Sequence, residues 1–383
     1  MDNIAKELEQ LKQDSMFRQI SNIEKKEDIY IYSDGLKMIN LSSNDYLNLS
    51  TDRGLVQEFL TEHKNHSELS FSSASARLLS GTSQIYKTLE RTISQMFNKE
   101  ATLLFNTGYQ CNLGVITSLI SKGDVVFSDK LNHASIIDGM KLSDGDFYRY
   151  KHLDYEHLEE LLIKHRHKYK RVIIISESVF SMDGDVCDIS KLIELRNKYN
   201  TLLMIDEAHA FCSIDDNCAG FSAYNQEVDI VTATFGKATA STGAFVTSNK
   251  LIVDYITNKA RSFIFSTTIP PINVLWTNWL LTKKRDLIEF QKEKLIKLTI
   301  RTHEYLLKNG INTVSETQII PIVLNTPQKA TEIAKKLKDS GFFVLPIKPP
   351  TVPIGTSRLR LSLTANMKTE DIIKLIELIK DEI

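Results

Sequence analysis

Short apolar runs alternate with longer segments of helical periodicity along the first two thirds of the chain. The apolar runs predict strands at 101–105, 124–128, 171–176, 201–206, 228–234 and 244–248. The segments between them predict helices near 110–119, 155–165, 189–198 and 251–259. Strands joined by segments of this length are typical of parallel pairing through crossover connections. The pattern therefore predicts an α/β domain built on a mostly parallel sheet.

The alternation ends at the proline pair Pro270-Pro271, and the following stretch 272–308 is charged and helical in period, as in a connecting helix. Further strands are predicted at 319–324, 342–345 and 358–363, with helices near 329–338 and from Thr369. We therefore expect an N-terminal segment over residues 1–45, a large domain over 46–275 and a smaller C-terminal α/β domain over 276–383.

Composition narrows the class of protein. The 383 residues are 25% charged and 42% hydrophobic with a net charge of −1, which is typical of soluble globular chains. The short basic stretches 165–168 and 283–285 indicate solvated helix faces, so nucleic acid is not an expected partner. The N-terminus is polar and no apolar run is long enough to span a bilayer, so we expect a cytoplasmic protein without a membrane partner.

The cysteines argue against a metal site. They form no CxxC pair and do not cluster with histidines, so free thiols in a reducing compartment are expected; they are Cys111, Cys187, Cys212 and Cys218.

Polar residues follow several of the predicted strands. In a doubly wound sheet, ligands bind at the carboxyl ends of the strands, so these residues are expected to converge on one mouth. They are Gly108, Tyr109, Asn132, His133, Ser181, Asp206, His209, Thr234 and Lys237.

Each of these residues has an ordinary structural interpretation beside the functional one. Lys237 could attack an aldehyde, but its segment alone favours a surface lysine in a turn. Asp206 could pair with a protonated pyridine nitrogen or cap the next helix. His133 could stack on a cofactor ring or lie exposed, and Gly108-Tyr109 could bind phosphate or form a plain βα turn.

The stretch 206–209 reads Asp-Glu-Ala-His, which also occurs in a class of nucleotide-hydrolysing helicases. Such a protein needs a GxxxxGK[ST] loop around the phosphates. The nearest match is Gly236-Lys237, with Val231 in place of the first glycine and Ala238 in place of the hydroxyl residue. The sequence therefore disfavours the nucleotide-hydrolysing alternative.

The order of the motifs is more specific than any one of them. The stretches 132–135, 177–185, 206–210 and 234–238 closely resemble those of the α-oxoamine synthases, which are fold-type-I pyridoxal-phosphate enzymes, and the resemblance runs from Ser43 to Leu361. It implies a large domain with a mostly parallel seven-stranded sheet between helices, a smaller C-terminal α/β domain, and a homodimer with shared active sites. A non-catalytic relative would be expected to have lost Lys237 or Asp206, and both are present.

The resemblance also implies roles for single residues. Lys237 forms the Schiff base with pyridoxal 5′-phosphate, Asp206 pairs with the ring nitrogen, and His133 stacks on the ring. By the same resemblance, the ring hydroxyl is contacted by His209 and Ser181. The phosphate is bound by Gly108, Tyr109 and Thr234, with Thr267 or Thr268 from the partner subunit. The substrate is bound by Arg360, Asn44 and Arg18.

The implied reaction is a decarboxylative condensation of an amino acid with an acyl thioester. Within the family, the chain resembles most the members that use L-alanine and a pimeloyl thioester carried by coenzyme A or acyl carrier protein. A sister condensation with glycine or another thioester is the alternative. The chain departs from the family's glycine pattern at 72–77, Asn48 and Ala240, and the first of these leaves the acyl donor open.

Overall fold

The computed structural model describes residues 1–215 and 218–382. In chain order the helices are α1 (Asp2–Gln13), α2 (Arg53–His63), α3 (Gln84–Phe97), α4 (Gly108–Leu119), α5 (Ala134–Leu142), α6 (Tyr155–His165), α7 (Ile189–Tyr199), α8 (Lys250–Lys259), α9 (Arg261–Ile264), α10 (Pro271–Lys283), α11 (Arg285–Lys308), α12 (Pro327–Asp339) and α13 (Thr369–Ile379). The strands are β1 (Lys25–Glu27), β2 (Tyr30–Ser33), β3 (Leu36–Asn40), β4 (Ala101–Phe105), β5 (Val125–Asp129), β6 (Asp146–Tyr150), β7 (Val172–Glu177), β8 (Leu202–Asp206), β9 (Ile230–Thr234), β10 (Ala244–Ser248), β11 (Ile319–Asn325), β12 (Phe342–Phe343), β13 (Pro346–Ile347) and β14 (Ser357–Ser362).

The chain divides into two compact units. The large unit comprises residues 53–180 and 186–289, and the small unit comprises 1–52, 181–185 and 290–383. The domain boundaries expected at residues 45 and 275 stay predictions. None of the helices in the described ranges is long and apolar enough to cross a membrane.

The large unit is built on a seven-stranded sheet in the order β4-β10-β9-β8-β7-β5-β6. Strand β10 pairs antiparallel with both of its neighbours, and the other pairs are parallel. This confirms the predicted mostly parallel α/β fold. The edge strand β6 was missed because Asp146–Tyr150 is largely exposed and lacks the continuous apolar run that a central strand needs.

A layer of apolar side chains fixes the helices against this sheet. Ile173 and Ile175 lie two residues apart on β7 and point to the same face, where they join Val115 and Ile116 of α4 in one buried cluster. Ile174, between the two strand residues, is also fully buried. Burial of both faces explains why the central strands read as uninterrupted hydrophobic runs.

Hydrogen bonds tie the carboxyl ends of the central strands to the loop after β5. Asn132 donates to the carbonyl oxygen of Ile175 at 2.9 Å and accepts from the backbone N–H of Glu177 at 3.1 Å. Glu177 in turn pairs in register with Asp206. The loop that carries His133 is therefore held directly beside the ends of β7 and β8.

The segment 272–308, predicted as one connecting helix, is two helices. Pro271 occupies the first turn of α10, as expected for proline. Lys284, with φ −117° and ψ 26°, then separates α10 from α11. The prediction of one helix was wrong at this point, and no glycine or proline near residue 284 marks the break.

The small unit contains a four-stranded sheet, β1-β2-β3-β12, and a three-stranded sheet, β11-β14-β13. The segment 181–185 belongs to it, and its turn requires glycine. Gly184 has φ +71°, and a Cβ there would lie 1.9 Å from the carbonyl oxygen of Ile319. The hydroxyl of Thr317 donates to the Gly184 carbonyl at 2.9 Å, which holds this turn against β11.

Three residues that replace common family glycines adopt left-handed backbone conformations. They are Asn48 with φ 57°, Ala74 with φ 50° and Ala240 with φ 46°. Asparagine tolerates this region, whereas alanine carries a Cβ that is crowded by the carbonyl. The structure thus supplies a physical reason for glycine at the last two positions.

Candidate active site

A cavity of about 190 Å³ lies at the carboxyl ends of the central strands in the large unit. Its lining includes the predicted residues Gly108, Tyr109, His133, Asp206, His209, Thr234 and Lys237. It also includes residues without a predicted role, namely Asn112, Ser135, Glu177 and Ala208. Residues from separate strands and loops therefore meet in one place, as their positions after the strands indicated.

Asp206 is the last residue of β8 and its side chain is buried. Both carboxylate oxygens accept hydrogen bonds, one from the Asn112 amide at 2.7 Å and the other from the Ala208 backbone N–H at 2.9 Å. Both donors are neutral, so these bonds orient the carboxylate without cancelling its charge. A buried carboxylate in this state favours a cationic ligand.

The neighbouring Glu207 points away from the cavity and holds a loop. Its carboxyl group accepts from the Ser222 backbone N–H at 2.6 Å and from the hydroxyls of Ser178 and Ser222. Gly220, with φ +79°, passes so close that a Cβ there would lie 2.4 Å from a Glu207 carboxyl oxygen. Burial raises the pKa of Glu207 to about 7. Glu207 therefore serves the fold of the large unit.

His133 precedes α5 and its ring faces the cavity. The imidazole Nδ1 lies 2.8 Å from the Ser135 hydroxyl and accepts from the Ser135 backbone N–H at 3.2 Å. The Tyr109 ring stands edge-on to the imidazole, with centroids 6.3 Å apart. Burial lowers the pKa of His133, although the nearby Asp206 carboxylate opposes the shift. The ring is therefore held in one orientation and favoured in its neutral form.

Glu177 is a buried carboxyl group beside this histidine. The backbone N–H of His133 donates to it. Burial, followed by the proximity of Asp206, raises the pKa of Glu177 to about 8. Its position at the end of a buried strand is the same signal that singled out Asp206, so it could have been found from the sequence.

The start of α4 offers backbone amides to an anion. Thr107 caps the helix by accepting from the Gln110 N–H at 3.1 Å, while the amides of Gly108 and Tyr109 lie in the first turn, where helix N–H groups have no intrahelical acceptor. A Cβ on Gly108 would lie 3.5 Å from the Cβ of Thr234, at ordinary van der Waals distance. The Thr234 hydroxyl donates to the Gly243 carbonyl at 2.9 Å.

These groups fit pyridoxal phosphate. Lys237 contributes a primary amine, Asp206 a buried carboxylate suited to a protonated pyridine, and His133 a flat ring. The first-turn amides of α4 suit a phosphate. One cavity thus contains groups suited to the aldehyde, the ring nitrogen and the phosphate of the cofactor.

The other predicted site residues lie outside this cavity lining. In the large unit, the side chain of Thr267 is exposed and that of Thr268 is buried. Ser181 and Arg18 belong to the small unit, where Arg18 donates to the Thr351 hydroxyl at 3.2 Å. Their roles toward cofactor, partner subunit and substrate stay predictions.

Arg360 and Arg358 lie two residues apart on β14 of the small unit but have different partners. Arg358 pairs with the Asp183 carboxylate. Arg360 donates instead to neutral acceptors, which are the Ser181 carbonyl, Asn44 Oδ1 at 3.2 Å, Ser362 Oγ at 2.6 Å and the Tyr46 hydroxyl at 3.3 Å. These bonds fix the guanidinium and leave its positive charge available to an anionic substrate group.

Comparison with known proteins agrees with this geometry. The chain belongs to the Aminotransferase class I and II family, whose profile matches residues 36–379. It is accordingly a pyridoxal-phosphate enzyme of fold type I, which confirms the predicted cofactor and the predicted class of PLP-dependent acyltransferase.

Its relatives are more specific. A protein of Haemophilus ducreyi named 8-amino-7-oxononanoate synthase is 40% identical over 388 residues, covering 98% of this chain and 99% of the relative. A protein of Glaesserella parasuis with the same name, provisionally given, is 44% identical over 382 residues, covering 98% and 99%. The crystal structure of 8-amino-7-oxononanoate synthase from Francisella tularensis is 27% identical with a TM-score of 0.75, covering 90% of this chain and 97% of that one.

Proposed function

We propose that the protein condenses L-alanine with a pimeloyl thioester, with loss of carbon dioxide and the free thiol, to give 8-amino-7-oxononanoate for biotin synthesis. The observation that carries this proposal is full-length identity of 40% to the Haemophilus ducreyi protein of that name. The grouping of Lys237, Asp206 and His133 in one cavity supports it, because the reaction needs these side chains together.

Bound pyridoxal phosphate supplies an electron sink that makes the α-carbon of an amino acid acidic and permits loss of its carboxyl group. In the proposal, Lys237 holds the cofactor covalently, Asp206 holds its ring nitrogen, and the amides of Gly108 and Tyr109 hold its phosphate. The Lys237 amine, or a partner group beside it, would take the α-proton. Arg360 orients the amino acid through its carboxylate.

The competing proposal is a sister condensation. The family includes enzymes for other pairs of substrates, and a serine palmitoyltransferase of Sphingomonas wittichii shares this fold with a TM-score of 0.86 at 25% identity. The departure from the glycine pattern at 72–77 lies in a region that the family uses near the acyl chain. The acyl donor is therefore the part of the proposal that most needs a direct test.

The test compares products from alanine, glycine and serine, each with pimeloyl, acetyl, succinyl and palmitoyl thioesters. We expect the highest kcat/KM for alanine with the pimeloyl thioester, measured by mass spectrometry of the product. A preference for glycine with the acetyl or succinyl thioester would overturn the proposal. Offering the pimeloyl group on coenzyme A and on acyl carrier protein in parallel identifies the carrier.

A homodimer and a cytoplasmic location are further parts of the proposal. The exposed side chain of Thr267 is the one available to a neighbouring copy, whereas Thr268 is buried in its own chain. Sedimentation analysis should give a species of twice the chain mass. If that species is a dimer, Thr267→Ala should weaken cofactor retention more than Thr268→Ala does.

A further inference from the structure

A continuous chain of hydrogen bonds runs from Asp206 to His133 through two residues without an assigned role. The side-chain amide nitrogen of Asn112 donates to Asp206 Oδ2 at 2.7 Å and to Ser135 Oγ at 3.0 Å. The Ser135 hydroxyl lies 2.8 Å from His133 Nδ1. Asn112 and Ser135 are buried, so these contacts are not exchanged for water at the surface.

Proton positions along this chain follow from the chemistry of its ends. Both oxygens of Asp206 accept hydrogen bonds, so the nitrogen of the Asn112 amide must face it. The Asn112 oxygen then faces Thr232, whose hydroxyl donates to it at 2.9 Å. The second Asn112 N–H is left for Ser135, whose oxygen must therefore accept.

Ser135 has one hydroxyl proton, and its oxygen already accepts from Asn112. The proton is therefore directed to His133 Nδ1. The Ser135 backbone N–H donates to the same nitrogen at 3.2 Å. With two donors aimed at it, Nδ1 has to present its lone pair, and the single ring proton of the neutral imidazole resides on Nε2.

We infer that Asn112 and Ser135 are positioning residues that fix His133 in the Nε2–H tautomer. The Asp206 carboxylate orients the Asn112 amide, the amide orients the Ser135 hydroxyl, and the hydroxyl donates to His133 Nδ1. The opposite tautomer would bring a ring N–H against the Ser135 backbone N–H and would leave the Ser135 hydroxyl proton without its acceptor. Leaving a buried donor unpaired disfavours that form by about tenfold or more.

The Nε2–H tautomer determines what His133 can do with a proton. A neutral ring with its proton on Nε2 is a hydrogen-bond donor at that atom, so it can stabilise negative charge that develops on a substrate oxygen. It is not a base at Nε2. This catalytic consequence rests on the proposed function, whereas the tautomer itself does not depend on which substrates the enzyme uses.

Nitrogen-15 NMR of histidine-labelled, cofactor-loaded protein measures the tautomer directly, without turnover. His133→Gln identifies the resonances by their loss. We expect wild-type His133 to give the pattern of a hydrogen-bonded, unprotonated Nδ1 and a protonated Nε2. A proton on Nδ1, or comparable amounts of both tautomers, would overturn the inference.

Ser135→Ala is the decisive variant, and Ser128→Ala is its matched control. Both serines are fully buried beside the same loop, but Ser128 bonds Asn132 at 2.9 Å and not the imidazole. We expect Ser135→Ala to raise the Nδ1-protonated share of His133 about tenfold, because one of its two donors is gone. Ser128→Ala should leave this share unchanged. Equal spectra for the two variants would contradict the inference that Ser135 fixes the tautomer.

Asn112→Leu provides a second test that leaves Ser135, the residue bonded to the imidazole, unsubstituted. It removes the donor to both Asp206 and Ser135 while keeping a similar side-chain volume. We expect the Nδ1 resonance to shift in the direction seen for Ser135→Ala. Activity assays on the same samples separate the two claims, since the tautomer can be as expected even where the alanine and pimeloyl condensation fails.

Discussion

The large unit has a cavity at each end of its sheet, and the two cavities differ in what their polar groups bind. At the carboxyl ends, polar side chains bind one another and face a space of about 190 Å³. At the amino ends, a larger space of about 520 Å³ is lined by basic side chains. There the guanidinium of Arg166 donates to the carbonyls of Tyr169, Tyr199 and Asn200 at 3.0, 2.8 and 2.9 Å.

Cavity size is a poor guide to chemistry in this fold. The arginines of the larger cavity form hydrogen bonds within the chain itself, as Arg196 does with the Asp229 carboxylate. The smaller one holds Asp206, whose two hydrogen bonds come from neutral groups. A buried carboxylate held by neutral donors is the more informative signal.

The largest expected difference between the two ends concerns their lysines. Lys237→Ala should lower kcat/KM for the alanine and pimeloyl condensation by at least about 10³-fold, because in the proposed function it removes the amine that would hold the cofactor. Borohydride treatment followed by peptide mass spectrometry should then find no pyridoxyl group on the chain. Lys170→Ala, at the amino-end cavity, is the control and should keep both the activity and the labelled peptide.

Retention of the label in Lys237→Ala would contradict this assignment. So would loss of activity in a folded Lys170→Ala variant, because it would place chemistry at the wrong end of the sheet.

The aspartates give the next largest contrast. Asp206→Asn should lower kcat/KM by about 10²- to 10³-fold, since it removes a preorganised charge while keeping the shape of the side chain. Asp124→Asn should instead destabilise the fold by about 1 to 3 kcal/mol, because it turns an amide N–H toward the donors of Ser121 and Arg171. Steady-state kinetics and denaturant unfolding of both variants check this division. Similar losses of activity in the two variants would contradict the assignment of Asp206 to activity and of Asp124 to stability.

Glu177 should make the carboxyl end sensitive to pH. Its pKa in the folded protein is raised to about 8 from 4.5, so its contribution to stability is complete below the unfolded value and is lost as the pH rises through about 8. Glu177→Gln keeps an acceptor for the His133 N–H but does not titrate. We expect the apparent Tm of the variant, relative to that of the wild type, to rise as the pH is raised from about 6 to about 8.5. A constant difference across this range would argue that burial has not raised the pKa.

The smallest expected effect concerns backbone strain at each end. Ala240→Gly should stabilise the fold by about 0.5 to 1 kcal/mol, because relief of a left-handed alanine exceeds the entropy that glycine loses. Asn200→Gly is the matched change at the amino-end cavity, at φ 49°, and should stay within about 0.5 kcal/mol because asparagine tolerates this conformation. Chemical unfolding measures both free energies. If Ala240→Gly stabilised the fold less than Asn200→Gly does, strain at residue 240 would be absent.

The sequence predicted the central part of the fold because burial on both faces leaves an unmistakable pattern. Strands β4 and β10 match their predicted limits, and helix α6 spans the predicted 155–165. Strand β6 and the break at Lys284 were missed for a common reason. Each depends on what surrounds the segment, and neither has an apolar period, a glycine or a proline that announces it.

The site followed from the sequence to the extent that its residues end strands. Asp206 and Thr234 end strands and Lys237 follows three residues after β9, and all three were found in this way, whereas Glu177 also ends a strand and was passed over. Asn112 lies one helical turn after Gly108 and so shares its face. The sequence could place Asn112 on that face, but its bond to Asp206 joins segments 94 residues apart and needed the structure.

The burial of Glu207 bears on how its motif should be recognised. In this protein Glu207, the second residue of Asp-Glu-Ala-His, packs against Gly220 and accepts a hydrogen bond from Ser222, and these contacts serve the fold and not a nucleotide. A search pattern that joins the four letters to Gly-x-Ser after the intervening loop would describe one physical unit. Such a two-part signature should separate this use of the motif from the nucleotide-hydrolysing one, which the four letters alone cannot do.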